Sequence, residues 1–239
     1  MVNYLSLATQ MKTYILLLET STKICSVAIS LNGKVLQLLE TDDSNYEHTE
    51  KLFPFIKQVV ENAEITLNDL SAVAISKGPG SYTGLRIASS AAKGICYGLN
   101  IPMIGVSTLE SMANGMRLNY ENNQLFCPML DARRMEVYTA VYDKDGSMKS
   151  PVEAIIIDEH FCFDFLKNHK IIFFGSGSEK AKEILKQNKN AIFYDGFKMS
   201  AKHMASLAQQ SFDTNKFENL AYFEPDYLKE FIRVIKKIS

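Results

Sequence analysis

The stretch Ser76-Lys-Gly-Pro-Gly-Ser-Tyr-Thr-Gly-Leu-Arg86 gathers residue types that bring backbone up against an anion. Gly78 and Gly80 reach backbone angles closed to other residues, Pro79 stiffens the turn between them, and Ser81 or Thr83 can accept a hydrogen bond from the first free N–H groups of a following helix. A helix N-terminus carries partial positive charge, so a turn that aims it over a sheet suits a phosphate. The same residues equally make a plain tight turn. They do not make a phosphate loop of the NTPase type, which needs Lys-Ser or Lys-Thr straight after the last glycine, where Leu85 and Arg86 follow Gly84.

Other residues of this kind stand at matching places. Glu19 ends an apolar run and is followed by Thr20, Ser21 and Thr22; Asp131 ends another and is followed by Arg133 and Arg134; Gly175 and Gly177 form a second glycine turn before Ser178. Strand-end acids suit metal and phosphate chemistry, but the loops around them lack the glycine that lets backbone approach phosphate, which favours a vestigial site. The two arginines suit the phosphates of tRNA or of a nucleotide, or a solvated rim with one structural ion pair. His48, His160, His169 and His203 contain no i, i+4 pair and no His-Glu-x-x-His, so neither a zinc peptidase nor any metal site is expected. His48 itself suits a cleft or, more simply, a solvated helix start. Cys25, Cys96, Cys127 and Cys162 contain no C-x-x-C pair, as expected of buried free thiols in a reducing cytoplasm.

The elements that must position these groups follow from the apolar pattern. Tyr14 to Leu18 predicts a buried strand, Ile24 to Leu31 a second, and Asn32-Gly33 a hairpin into a third from Val35 to Thr41. Leu52, Phe53, Ile56, Val59, Val60 and Ala63 predict a helix that Pro54 kinks or restarts, with Ser44 and Glu47 as a capping box. A strand at Ala72 to Ile75, the glycine turn, a helix over 83–99, a strand at Ile101 to Val106 and a helix capped by Ser107 and running to about Leu118 complete the first half. From Gln124 the events repeat: strand, acid, strand, a turn at Asp145-Gly146, then Ile171 to Phe174 into the second glycine turn and a helix to about Gln187. Glu19 to Gly33 spans 14 residues and Asp131 to Gly146 spans 15. A strand near Ile192, a helix from Ser200 to about Ser211 and an amphipathic tail carrying Leu228, Phe231, Ile232, Ile235 and Ile238 follow. The expectation is an α/β, duplicated two-lobed fold like that of actin, hexokinase and Hsp70, of the ribonuclease H-like type. Its lobes would be 11–118 and a shortened 119–239, with 1–10 an extension outside both.

The whole chain bounds its partners. With 239 residues and a net charge of −1 it does not grip nucleic acid alone, so an RNA role needs a partner's basic surface. No apolar stretch reaches the roughly 18 residues of a membrane span.

Seven pieces in order resemble the TsaB, or YeaZ, family: Leu18-Glu-Thr-Ser-Thr22, Cys25-Ser-Val-Ala28, His48 ahead of Leu52-Phe-Pro54, Gly78-Pro-Gly-Ser-Tyr-Thr-Gly84, Gly105-Val-Ser-Thr-Leu109, Asp131-Ala-Arg-Arg134 with Glu136-Val-Tyr138, and Pro225-x-Tyr-Leu228. The resemblance implies a non-catalytic bacterial subunit of the machinery making N6-threonylcarbamoyladenosine in tRNA. It further implies TsaD as the catalytic partner, TsaE as an ATPase joining the pair, homodimers in the absence of TsaD, tRNA met only in the complex, and ATP or ADP entering only through TsaE. TsaD-type chains carry a stretch resembling Gly-Val-Asn-His-Leu-Glu-Gly-His, whose two histidines hold a metal. Here those positions are Thr108 and Met112, and a hydroxyl and a thioether do not replace two imidazoles.

By analogy with the family's helix pairing, the candidate partner surface is the smooth face of the helix after the glycine turn, Gly84, Ala88, Ala91, Ala92, Gly94 and Gly98, together with Phe55. Two other classes stay open. A small-molecule kinase of the same fold predicts ATP at the glycine turns and Glu19 or Asp131 as base. A homodimeric chaperone-like binding module predicts self-association alone.

Overall fold

The structure is a computed structural model that describes residues 12–41, 48–120 and 123–228. The capping-box pair Ser44 and Glu47, the extension 1–10 and the tail beyond Leu228 lie outside them.

Two five-stranded sheets carry the fold. The first is built from β1 (Tyr14–Glu19), β2 (Ser26–Leu31), β3 (Lys34–Glu40), β4 (Leu70–Gly78) and β5 (Met103–Ser107) in the order β3-β2-β1-β4-β5. Asn32 and Gly33 take φ of 49° and 77°, the consecutive left-handed pair that a tight hairpin between twisted strands needs, so β2 and β3 run antiparallel. β1 and β4, and β4 and β5, pair in parallel and require helical crossovers. These are α1 (His48–Asn62) and α2 (Tyr82–Leu99).

The second sheet takes β6 (Leu125–Asp131), β7 (Glu136–Tyr142), β8 (Met148–Ile156), β9 (Ile171–Phe174) and β10 (Ala191–Tyr194) in the order β10-β9-β6-β7-β8. Counted from its own first strand, this is the order and polarity of the first sheet, so the duplication holds strand for strand. The shortening lies in the helices: α4 (Phe163–Asn168) and α5 (Ser178–Leu185) have 6 and 8 residues where α1 and α2 have 15 and 18.

The period-2 alternation of the first sheet divides its side chains between two cores. Leu16, Leu18, Val27, Ile29, Val73 and Ile75 face α1 and α2, where Leu52, Ile56, Val59, Ala88, Ala92 and Cys96 meet them. Ile15, Leu17, Ala28, Ala72, Ala74 and Ile104 face the other way, onto a 3-10 turn (Ala201–Met204) and α6 (Ala205–Asp213). That covering helix comes from the end of the chain, although its sequence position assigns it to the second half. In return α3 (Thr108–Arg117), from the first half, places Leu109, Met112, Ala113 and Met116 in the core of the second sheet with Phe126, Leu130 and Phe174. Each half therefore roofs the other's sheet.

Local expectations are corrected at Pro54 and at Ser107. Pro54 does not restart α1, which runs unbroken through it. At the short turn before β4, Asp69 Oδ2 accepts from Thr66 N and Oγ1 at 2.7 Å each. Ser107 precedes α3 but makes no side-chain cap to it.

Candidate functional site

The first glycine turn joins β4 to α2 as the sequence predicts. Gly78 takes φ of 115°, and Ser81 Oγ accepts from Gly84 N at 3.2 Å, capping the helix. The space over the turn is filled by the chain itself. Ser81 N donates to the Ser21 carbonyl at 2.7 Å, and Thr20 Oγ1 donates to the Gly84 carbonyl at 2.8 Å. The loop after β1 lies so close that a Cβ on Gly80 would sit 2.5 Å from the Ser21 carbonyl oxygen, and one on Gly84 would collide with that of Thr20. These glycines admit a protein backbone where a phosphate binder admits its ligand.

Glu19 is buried beneath this contact. Its Oε1 accepts from Ser21 N at 2.7 Å and from Ser76 Oγ at 3.1 Å, while Oε2 and the buried Ser21 Oγ find no partner among the described residues. Burial pushes the Glu19 carboxyl up, against the opposing pull of the Ser21 and Ser76 hydrogen bonds.

The second turn repeats the arrangement. Gly175 takes φ of 98°, and Gly177 N donates to the Met129 carbonyl at 3.0 Å. A Cβ on Gly175 would lie 2.5 Å from both that carbonyl oxygen and Met112 Cε, and one on Gly177 would lie 2.8 Å from Val137 Cγ1. Asp131 Oδ1 is held by Lys180 Nζ at 2.6 Å and by Arg133 N at 2.6 Å. Partial burial raises the Asp131 carboxyl, but the Lys180 and Arg133 contacts outweigh it and leave the group below the usual carboxylate range. Arg133 and Arg134, with φ of 72° and 50°, form an exposed left-handed turn between β6 and β7. Among the described residues no three of His, Cys, Asp and Glu group so that they could hold a metal ion.

The smooth face of α2 splits in two. Gly84, Ala88, Ala91 and Ala92, expected at a partner surface, are buried against the chain's own sheet and the Thr20–Ser21 loop. Gly94 and Gly98 are open: a Cβ at either would have no neighbour within 4 Å among the described residues, and Tyr97 beside them is 83% exposed. On α1 the expected Phe55 is half-buried against the core, and Phe53, which the periodicity assigns to the core stripe, is 58% exposed. His48 is the first residue of α1.

Sequence reasoning misses a strap formed by residues 217–228. Glu218 N donates to the Met103 carbonyl at 2.9 Å and Asp226 N to the Lys77 carbonyl at 2.7 Å, while Lys77 Nζ lies 3.7 Å from Glu218 and 3.8 Å from Asp226. Gly78 and Gly105 are needed beneath it, since a Cβ at either would meet Asp226 or Glu218. At the end of the strap, Tyr227 lies on Tyr82 with ring centroids 4.9 Å apart, and Arg86 Nη1 donates to Tyr82 Oη at 2.6 Å. The Pro225-x-Tyr-Leu228 motif was the available signal. A cavity of about 790 Å3 opens beside the strap, walled by Pro79 and Tyr142 and edged by Glu110, Glu224 and Asp226 against Lys77. Its charge opposes a nucleotide phosphate.

A family model described as TsaD, tRNA N6-adenosine threonylcarbamoyltransferase, matches residues 42–236. The tRNA threonylcarbamoyladenosine biosynthesis protein TsaB of Escherichia coli (strain K12) is 33% identical over 223 residues, covering 90% of this chain and 94% of the relative. The TsaB of Haemophilus influenzae is 29% identical over 225 residues, covering 90% and 93%. The solved structure of YeaZ from Pseudomonas aeruginosa shares the fold at a TM-score of 0.72, with 22% identity over 90% of this chain and 100% of that one. The repeated sheet, the two glycine turns and these matches agree, and the chain belongs to the TsaB family.

Proposed function

We propose that this chain serves tRNA threonylcarbamoyladenosine biosynthesis as a non-catalytic subunit, pairing with a TsaD-type transferase and holding it in its working state. Transfer of the threonylcarbamoyl group to adenosine takes place on the partner. The observation that carries this reading is that both glycine turns are filled from within. A catalyst of this fold leaves its helix N–H groups and strand-end acids free for a ligand. Here Ser81 N is spent on Ser21, Glu19 on Ser21 and Ser76, and Asp131 on Lys180. Thr108 and Met112, both buried in α3, support the same reading, because they supply no imidazole for a metal. The chain then needs no cofactor of its own; ATP or ADP enters with TsaE, tRNA is met only in the complex, and copies pair with each other when TsaD is absent.

The surface that supports pairing is the outer side of α1 and α2, with Phe53, Gly94, Tyr97 and Gly98. Small residues allow a partner helix to approach closely, and the two exposed aromatics supply apolar area. Co-purification with the TsaD of the same organism is the test, comparing wild type with Gly94→Leu and Gly98→Leu. A Cβ at either site meets nothing within 4 Å among the described residues, and an unchanged circular dichroism spectrum shows that the variants fold, so loss of the one-to-one complex reports the partner contact. A chain that forms no such complex but is stabilised by Mg-ATP, by about 2.7 kcal/mol at a hundred times the dissociation constant, overturns the reading in favour of a small-molecule kinase.

A further inference from the structure

The turn between β6 and β7 sets two arginines where the backbone favours asparagine and glycine. Arg133 and Arg134 take φ of 72° and 50°, the same consecutive left-handed pair that β2 and β3 meet with Asn32 and Gly33 at 49° and 77°. Asn-Gly suits those angles, whereas a long side chain is disfavoured at both. An arginine pair held there against backbone preference points to a task for the side chains.

The fold does not supply that task. Arg133 and Arg134 are both exposed. The structural ion pair expected of a solvated rim is made instead by Lys180, whose Nζ lies 2.6 Å from Asp131 Oδ1 and donates to the Glu136 carbonyl at 2.9 Å. Neither guanidinium has an ion-pair partner among the described residues. The turn beneath them is nevertheless fixed. Arg133 N donates to Asp131 Oδ1 at 2.6 Å, Ala132 N to the Glu136 carbonyl at 3.1 Å, and Glu136 N to the Arg133 carbonyl at 3.1 Å. Lys180 thus clamps both ends of the turn and neutralises the acid at its start, leaving two unpaired guanidinium forks on rigid backbone.

We propose that Arg133 and Arg134 contact the phosphate backbone of tRNA in the assembled complex, an inference that rests on the reading of this chain as a TsaD partner. A guanidinium fork takes two phosphate oxygens in one plane, and two forks on a fixed turn position a strand without reading its bases. With a net charge of −1 the chain does not grip RNA alone, so the pair extends a partner's basic surface rather than replacing it.

The test gives this turn the residues of the chain's other tight turn, Arg133→Asn with Arg134→Gly, and measures binding of an unmodified tRNA transcript to the complex with TsaD by fluorescence anisotropy across a salt series. The melting temperature should not fall, because the new residues suit the backbone, and the complex with TsaD should form as in wild type. Affinity for the transcript should weaken about tenfold, and the slope of log affinity against log salt should become shallower by about one to two. Arg133→Gln with Arg134→Gln, which removes the charge alone, should give the same shallower slope. A slope that both variants leave unchanged overturns the proposal. So does loss of the TsaD complex in the variants, which assigns the turn to a protein contact. A wild-type chain that forms no complex with TsaD overturns the reading as a TsaD partner and this inference with it.

Discussion

His203 gives the structure a stability that depends on pH in a definite direction. Its ring is packed between Phe197, at 5.3 Å between centroids, and α3, where a Cβ on Gly115 would lie 2.5 Å from the ring. Its backbone carbonyl accepts from Asn114 Nδ2 at 2.7 Å, and its buried Nδ1 has no partner among the described residues. Burial, helped by the neighbouring Lys202 and opposed by Glu40, pushes the imidazole down to about 4. An unfolded histidine takes up its proton near 6.5, so between the two values the unfolded chain binds a proton that the native chain refuses. The contribution is therefore complete above the unfolded value and is lost as pH falls toward the folded one. At about pH 5 the loss through this one group comes to about 2 kcal/mol relative to neutral pH. Glu19 acts in the opposite sense. Its raised carboxyl favours the folded state at low pH, so the wild-type profile alone mixes the two. His203→Phe keeps an aromatic ring and removes the titration. Urea unfolding followed by circular dichroism from about pH 5 to 7.5 should give a difference, wild type minus variant, that grows with pH by up to about 1.4 kcal/mol per unit. The larger ring shifts the level of that difference, while its slope reports the imidazole. A difference that stays flat over this range refutes the argument that burial keeps His203 neutral.

Glu19→Gln should stabilise the protein at neutral pH, with a gain that shrinks as pH falls toward the ordinary carboxylate range; thermal melts of both proteins across that range check it. Gly84→Ala should cost about 1–3 kcal/mol, because the added methyl strikes the fixed Thr20 backbone. Gly94→Ala should instead gain about 0.5–1 kcal/mol on the open helix face, and a melting temperature that falls for both would contradict the division of α2 into buried and open parts. Lys180→Met should raise the Asp131 titration toward the ordinary carboxylate range in a carbon-detected NMR titration, with a stability change within about 1 kcal/mol because Asp131 is half-exposed.

The glycine turns and the repeat were legible because glycine, proline and strand-end acids punctuate a chain wherever it folds. β8 was not. It is an edge strand in which Lys149, Pro151 and Glu153 alternate with half-buried residues, and the short apolar run Ala154 to Ile157 at its end does not by itself announce a strand of nine residues. On α1 the helical period finds Leu52, Ile56, Val59 and Val60, but Phe53 and Phe55 flank that stripe on either side. Only the packing against the sheet decides which one faces out. The small residues of α2 are alike in sequence, and their fates part because the Thr20–Ser21 loop, over sixty residues earlier, settles on the helix's first turn. The strap over Gly78 and Gly105 rests on contacts of still longer range, which local pattern does not encode.

The exchange of α3 and α6 between the two halves gives the molecule the character of a dimer written on one chain. A helix from each unit completes the core of the other, as when two protomers trade an arm. Neither half is then a self-sufficient product: the first alone leaves Ile15, Leu17 and Ile104 bare, and the second alone leaves Phe126 and Phe174 so. A break in the connection between α3 and β6 leaves that clasp intact, so the two pieces, supplied as separate polypeptides, have every contact they need to find each other and assemble.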